Sequence, residues 1–110
     1  MNVMETMVNL FKSLGEHTRI RIFHVLLYYP ALSVGDLEKI LKVSQTNVSR
    51  HLTVLKNGKL VSSRKSGNYV IYQIDSEISE NFMMEFKKMA DEFIQLKSDL
   101  KNAREYLPAL

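Results

Sequence analysis

The spacing of apolar residues changes from a helical to a strand pattern and back again, and this constrains the fold more than any other feature. Before Gly58, apolar residues recur every three or four positions, as on the buried face of a helix. In residues 60–74, "LVSSRKSGNYVIYQI", they alternate, as in a half-buried strand. From Phe82 to Leu107 the helical spacing returns without a break. The sequence therefore predicts a mainly α protein with one small β-hairpin.

Two helices are predicted at the start of the chain. The first, over residues 3–14, ends at Gly15, and the second stops before Pro30, because the residue preceding a proline is pushed out of the α region. The apolar stripe of the first helix has spacings of three, four and three and consists of Met4, Met7, Phe11 and Leu14.

Residues 33–58 have the pattern of two helices joined by a short turn. Ser33, with an aspartate three residues later, forms a variant of the capping box. Ser44 caps the next helix, which is predicted to end at Gly58, a residue type favoured just after a helix. A helix-turn-helix followed directly by a two-stranded hairpin, here residues 60–74, is a winged helix.

The last segment, residues 77–107, is predicted to be one long helix with a sustained coiled-coil-like stripe. A single core of 110 residues is too small to cover both this stripe and that of the first helix. We therefore predict one domain, residues 1–110, that forms a homodimer through segments 1–14 and 77–107. Besides the four residues of the first helix, the predicted interface contains Phe82, Phe86, Met89, Phe93, Leu96 and Leu100.

The positive charge is concentrated in the middle of the chain. Residues 39–74 contain seven Lys or Arg and no Asp or Glu, whereas the whole chain has a net charge of only +3. A basic surface of this kind attracts a polyanion. With Val48 at the centre of the buried side of the fourth helix, the opposite side carries short hydrogen-bonding groups and one arginine, which suits the reading of base edges in a DNA major groove. The predicted base-reading residues are Gln45, Thr46, Ser49, Arg50 and Thr53.

The hairpin and the residues before it supply further basic groups. The tip, "RKSGN", offers Arg64, Lys65 and Asn68 to the DNA backbone or to a minor groove. Lys56 and Lys59 are predicted to add phosphate contacts. The predicted partner is therefore double-stranded DNA.

Two stretches resemble the ArsR-type winged-helix repressors of bacteria and archaea. "LFKSLGEHTRIRIFHVLL" is similar to the opening of that family, and "LSVGDLEKILKVSQTNVSRHLTVLKNGKLVSSRKSGNYVIYQI" is similar to its DNA-binding core, including the "SQ…VSRHL" pattern. The resemblance covers residues 8–75. It implies a homodimeric transcriptional repressor that binds a palindromic operator and releases it when an inducer is sensed.

The chain departs from this family at the positions used for metal sensing. Many relatives carry two cysteines in the stretch that is "ALSVGDL" here, where Ser33 and Gly35 stand in their place. Other relatives bind metals through histidines on the last helix, whereas His17, His24 and His51 all precede that helix. We therefore predict no metal site, no cofactor and no classical metal sensing.

The three histidines are predicted to have structural roles. His24 lies in the apolar second helix, as a core or interface residue with its hydrogen bonds satisfied. His51 is expected to pack and to position the fourth helix rather than to contact a base. His17, which stands where the family pattern has proline, is expected at the surface or in a helix cap.

Several other function classes are disfavoured by the sequence. It has no glycine-rich phosphate loop and no nucleophile with a base at motif spacing, so we expect no catalysis. It has no cysteine, no recognisable signal peptide and no apolar run long enough to cross a bilayer, so we expect a cytoplasmic protein.

Two alternatives remain open at this point. The winged helix could dock an acidic protein partner through the same basic surface. Within the DNA-binding interpretation, the repressor either has no ligand or is released by an unidentified small-molecule inducer in the apolar space around Phe82, Phe86 and Phe93.

Overall fold

The elements of the protein follow the predicted order, with one difference near the C-terminus. The structure is a computed structural model that describes residues 3–108. Residues 1–2 of the predicted segment 1–14, and residues 109–110 of the predicted domain, lie outside the described residues. The elements are α1 (Val3–Leu14), α2 (His17–Tyr28), α3 (Val34–Leu41), α4 (Gln45–Asn57), β1 (Val61–Ser66), β2 (Tyr69–Ile74), α5 (Glu80–Ala90) and α6 (Ile94–Tyr106).

The two helices of the helix-turn-helix begin at the predicted caps. At α3, the Ser33 hydroxyl accepts a hydrogen bond from the backbone N–H of Asp36, and the Asp36 carboxylate accepts one from the backbone N–H of Ser33, which completes the capping box. At α4, the hydroxyl of Ser44 accepts a hydrogen bond from the N–H of Asn47. Between the two helices Lys42 adopts a left-handed conformation, with φ 58°. Both predicted caps are confirmed.

The core lies where α2, α3 and α4 pack together and continues under the hairpin. Phe23 is fully buried, and its ring lies 5.1 Å from that of Phe86 and 6.1 Å from that of Phe82, measured between ring centroids. An isolated bridge between Leu32 and Tyr72 ties the segment before α3 to the hairpin. The helix-turn-helix and the hairpin are therefore held together as one body.

The C-terminal segment is not the single long helix that the apolar spacing predicts. It breaks at residues 91–93, where Phe93 has an extended backbone (φ −108°, ψ 120°). α6 folds back onto α2 and α3, so that Leu96, Asp99 and Ala103 are buried. A straight continuation of α5 would leave these side chains away from the core. Their burial against α2 and α3 therefore favours two helices over the single helix that the apolar spacing predicts.

Three residues of the predicted dimer interface are already covered by this packing. Leu14, Phe86 and Leu96 are buried in the core of their own chain, so little of their surface is left for a partner. Met4, Met7, Phe11, Met89 and Phe93 are exposed, whereas Phe82 and Leu100 are partly exposed.

Among residues 3–108, no helix is long and apolar enough to cross a membrane.

Candidate nucleic-acid interface

α4 presents one buried and one exposed side. Val48, Leu52 and Leu55 are fully buried, and they fix the helix on the core. The opposite side is open, and all five residues predicted to read bases are exposed: Gln45, Thr46, Ser49, Arg50 and Thr53. The structure therefore brings the predicted base-reading residues together on one accessible face.

Two of these side chains already make hydrogen bonds within the helix. Arg50 Nη2 donates to Asn47 Oδ1 at 3.2 Å, and Thr53 Oγ1 donates to the carbonyl oxygen of Ser49 at 3.1 Å. The bond to Asn47 holds the guanidinium of Arg50 over the first turns of α4. This role of Asn47 was not predicted from the sequence, although its i, i+3 spacing to Arg50 is one at which helix side chains meet.

His51 connects α4 to the beginning of α2. It is buried, and its Nδ1 lies 3.1 Å from Arg19 Nη1 and 3.6 Å from Glu16 Oε2. Arg19 Nε also donates to the carbonyl oxygen of Ser13 at 2.6 Å. Burial lowers the pKa of His51, and the Glu16 carboxylate opposes this shift. The neutral ring accepts from Arg19, and the network sets the position of α4, as predicted for His51.

The end of α4 is linked to the hairpin through a lysine. Lys56 Nζ donates to the hydroxyl of Ser63 at 2.8 Å. Lys56 and Lys59 are both exposed, as their predicted phosphate contacts require. The bond to Ser63 was not predicted from the sequence, because it depends on how the hairpin folds against the helix.

The two basic residues of the hairpin tip lie on opposite faces of the sheet. Arg64 pairs with Ile71, and its neighbour Lys65 pairs with Val70. Successive side chains of a strand point to opposite faces, so the two cations are directed to opposite sides. A two-residue turn closes the hairpin at residues 67–68, where Gly67 has φ 62°. The sequence prediction placed these cations together at the tip and did not distinguish their faces.

Tyr69 is an exposed aromatic residue at the tip that was not predicted from the sequence to belong to the site. It pairs with Ser66 at the end of the hairpin and is 66% exposed. Asn68, which was assigned, precedes it in the turn and is also exposed. The position of this aromatic residue directly after the polar turn is the feature of the sequence that could have indicated its place in the site.

Within residues 3–108, no three His, Asp or Glu side chains converge so that they could hold a metal ion. At the two positions where relatives carry cysteines, the Ser33 hydroxyl is engaged in the α3 cap, and Gly35 has no side chain to offer.

Comparison with known proteins identifies relatives among transcriptional regulators. A family model described as a helix-turn-helix domain matches residues 14–64. The chain is 39% identical over 67 residues to a cadmium resistance transcriptional regulatory protein CadC homolog from Staphylococcus aureus, covering 61% of this chain and 55% of that protein. The chain thus spans about half the length of that relative.

Two further relatives are matched over nearly their whole length. The transcriptional repressor SdpR of Bacillus subtilis is 28% identical over 88 residues, which cover 77% of this chain and 97% of SdpR. The HTH-type transcriptional regulator MJ1325 of Methanocaldococcus jannaschii is 32% identical over 81 residues, which cover 73% of this chain and 91% of MJ1325.

The fold is also similar to solved structures. That of HlyU from Vibrio cholerae superposes with a TM-score of 0.70 at 29% sequence identity, covering 84% of this chain and 98% of HlyU.

Proposed function

Because the chain belongs to the ArsR-type winged helix-turn-helix transcriptional regulators, we propose that it is a sequence-specific DNA-binding repressor that acts as a cytoplasmic homodimer. The observation that carries this proposal is the exposed, acid-free face of α4, with the basic hairpin beside it. In a dimer, two such helices about 34 Å apart would meet successive major grooves of a two-fold-symmetric operator.

The contacts are assigned by the chemistry of each element. Arg50 is suited to fork onto a guanine, and the short polar groups around it are suited to hydrogen-bond other base edges. The hairpin cations and the lysines at the end of α4 would contact phosphates, which position the protein without reading sequence. The repressing role is supported by relatives such as SdpR, which is named as a transcriptional repressor.

The experiment that tests this proposal is selection of duplexes from a random DNA library, followed by fluorescence anisotropy at two salt concentrations. We expect a selected duplex with two-fold symmetry to bind far more tightly than its scrambled control. Binding of both to the same weak degree would contradict a sequence-specific regulator. It would favour the alternative in which this basic surface docks an acidic protein.

A groove in the structure favours one version of the DNA-binding function, in which a small-molecule inducer releases the repressor. The groove lies between α2, α5 and α6 and has a volume of about 600 Å³, within the range of ligand pockets. Phe82 lies outside its lining and packs on Phe23 instead. The lining consists of His17, Ile20, Arg21, Phe86, Met89, Ala90, Phe93, Gln95 and Leu96.

The chain has no tryptophan, so a Phe93→Trp variant would place the only indole of the chain at this groove. Under the inducer version, small organic compounds that change its fluorescence also release the selected duplex. Compounds that bind the groove without releasing DNA would favour the version without a ligand.

A further inference from the structure

Asp99 of α6 is the only acidic side chain in residues 3–108 that is buried, and none of its surface is exposed. Arg21 of α2 holds it with two hydrogen bonds, from Nε to Oδ2 at 2.9 Å and from Nη2 to Oδ1 at 3.0 Å. Gln95 Nε2 donates a third, to Oδ1, at 3.0 Å. A buried ion pair, even in good geometry, is often no more stabilising than apolar side chains of similar volume, so stability alone does not explain this pair.

The pair also reaches the helix-turn-helix. Arg21 Nη2 donates to the carbonyl oxygen of Leu41, the last residue of α3, at 2.7 Å. On α6, Asn102 Nδ2 donates to the carbonyl oxygen of Ile40 at 3.2 Å. The last carbonyls of a helix have no partner inside it. Arg21 and α6 therefore cap the end of α3 from outside.

This cap lies next to the turn that joins α3 to α4, the helix proposed to enter the major groove. Lys42, which follows Leu41 directly, has the left-handed conformation that turns the chain, and α4 begins at Gln45. α6 also contacts the other end of α3, where the Tyr106 hydroxyl donates to Asp36 Oδ1 at 3.2 Å. Only residues 42–44 separate the end of α3 from the start of α4, so a displacement of the end of α3 changes the direction of α4.

We propose that Arg21, Asp99 and Asn102 are positioning residues for DNA recognition. They fix the end of α3 and the following turn, so that α4 presents its exposed face in the orientation that fits a groove. The proposal rests on the proposed DNA-binding function.

The test replaces the ion pair by apolar side chains in a double variant, Arg21→Met with Asp99→Leu. Such replacements of buried ion pairs are often neutral or stabilising, and this one leaves the net charge unchanged. The double variant does, however, remove the guanidinium that donates to the carbonyl oxygen of Leu41. The matched control is Glu85→Gln with Lys88→Gln, which removes an exposed ion pair on α5 and also leaves the net charge unchanged.

We expect the double variant to remain as stable as the wild type but to bind the selected duplex at least about fivefold more weakly, comparable to the loss of one base contact. Affinity for a scrambled duplex should be the same for variant and wild type, because no phosphate contact is changed. The control should bind both duplexes like the wild type. A stable double variant with wild-type affinity for the selected duplex would overturn the proposal.

A second measurement separates this proposal from the proposed function. Amide hydrogen exchange without DNA should be faster in the double variant for residues 42–48, while the core of α2 keeps its protection. Unchanged exchange in residues 42–48, or equal acceleration in α2, would mean that the pair is only structural. If the wild-type protein selects no duplex, the proposed function fails, and the exchange result still decides on the positioning role.

If the double variant does not fold, Asn102→Ala tests the same cap with a smaller change. It removes only the bond to the carbonyl oxygen of Ile40. Its control is Asn81→Ala, at an exposed position of α5. Exchange in residues 42–48 that is faster in Asn102→Ala than in Asn81→Ala supports the proposal. Equal exchange rates of these residues in the two variants would overturn it.

Discussion

Gly58, the residue after α4, lies against Ser13 of α1. Its φ of −80° suits any residue, and the left-handed conformation after α4 is adopted by the next residue, Lys59, with φ 62°. A Cβ added to Gly58 would lie 2.8 Å from the Cβ of Ser13 and 3.2 Å from Cδ1 of Leu60. Glycine is needed here because two helices approach closely, and not because of its own conformation.

We predict that Gly58→Ala lowers the free energy of unfolding by about 1–3 kcal/mol, because the added methyl group overpacks the contact with α1. Urea denaturation would measure the change. The control is Gly35→Ala in α3, where the nearest atom to an added Cβ is Ser33 Oγ at 3.7 Å. It should raise stability by up to about 1 kcal/mol, since alanine favours a helix more than glycine does. Equal losses in both variants would exclude the packing explanation.

His24 is buried in the core as predicted, but the prediction that its hydrogen bonds are satisfied is wrong for one ring nitrogen. Its Nδ1 has no hydrogen-bond partner among the described residues. The ring lies 5.3 Å from that of Tyr28 and 6.2 Å from that of Phe86, between centroids. Burial lowers the pKa of His24, although the nearby carboxylates of Asp99 and Asp91 oppose this shift. The folded protein therefore favours the neutral ring.

We predict that stability decreases as the pH falls below about 6.5, the ordinary pKa of histidine. The pKa values of His24 and His51 are lower in the folded than in the unfolded chain, so the unfolded chain binds more protons in this range. His24→Leu removes one of the two contributions. The loss of unfolding free energy between about pH 7.5 and about pH 5.5 should therefore be smaller in this variant, as measured by urea denaturation. An unchanged loss would mean that His24 does not contribute.

At the scale of elements, α4 and the hairpin have different parts in the proposed interface. Lys65 shares its face of the hairpin with Ser63, which accepts the hydrogen bond from Lys56, so this face is turned towards α4. Arg64 and Tyr69 are on the other face. α4 is therefore suited to read bases, whereas the hairpin is suited to hold the backbone beside it.

We predict that Arg50→Ala weakens binding of the selected duplex by about 1–3 kcal/mol and relaxes its specificity, because a base contact is lost. Lys65→Ala should weaken binding to all duplexes by a similar factor and reduce the salt slope by about 1, because a phosphate contact is lost. Anisotropy titrations at several salt concentrations would measure both effects.

The control for this pair is Lys101→Ala, an exposed lysine on α6 outside the proposed interface. It should leave the specificity and the salt slope as in the wild type. If Arg50→Ala and Lys65→Ala both behaved like this control, the proposed DNA-binding face would be wrong.

At the scale of the whole molecule, α1 exposes an apolar stripe that a single chain does not cover. Met4, Met7 and Phe11 are 67%, 52% and 59% exposed, whereas Leu14 at the end of the same helix is buried. Contiguous apolar patches on soluble proteins mark interaction sites. The stripe supports the proposed homodimer, and the exposed residues of α1, rather than Leu14, are the ones proposed to contact the partner.

We predict that Phe11→Glu converts the protein to a monomer, because a charge would be buried in the apolar interface. Sedimentation equilibrium without DNA would measure the change. Val70→Glu, at an exposed apolar position of the hairpin outside the proposed interface, is the control and should remain dimeric. A Phe11→Glu protein with the same association state as this control would show that α1 does not form the interface.

The sequence by itself determined the element order as far as the hairpin, the Ser33 and Ser44 caps of the helix-turn-helix and the side of α4 that faces outwards. These features depend on interactions between residues a few positions apart: apolar periodicity within a helix, and a serine that caps the amide three residues later. The concentration of positive charge in the middle of the chain was likewise visible without a structure.

Only the tertiary structure decided the break between α5 and α6, the burial of Leu14, Phe86 and Leu96, and the contacts of His51 with α2. The apolar spacing of residues 77–107 is equally compatible with a straight helix. The helix bends back because Asp99 meets Arg21, 78 positions earlier in the chain, and because Leu96 and Ala103 enter the core. Contacts over such distances depend on how the whole chain packs, and local periodicity does not encode them.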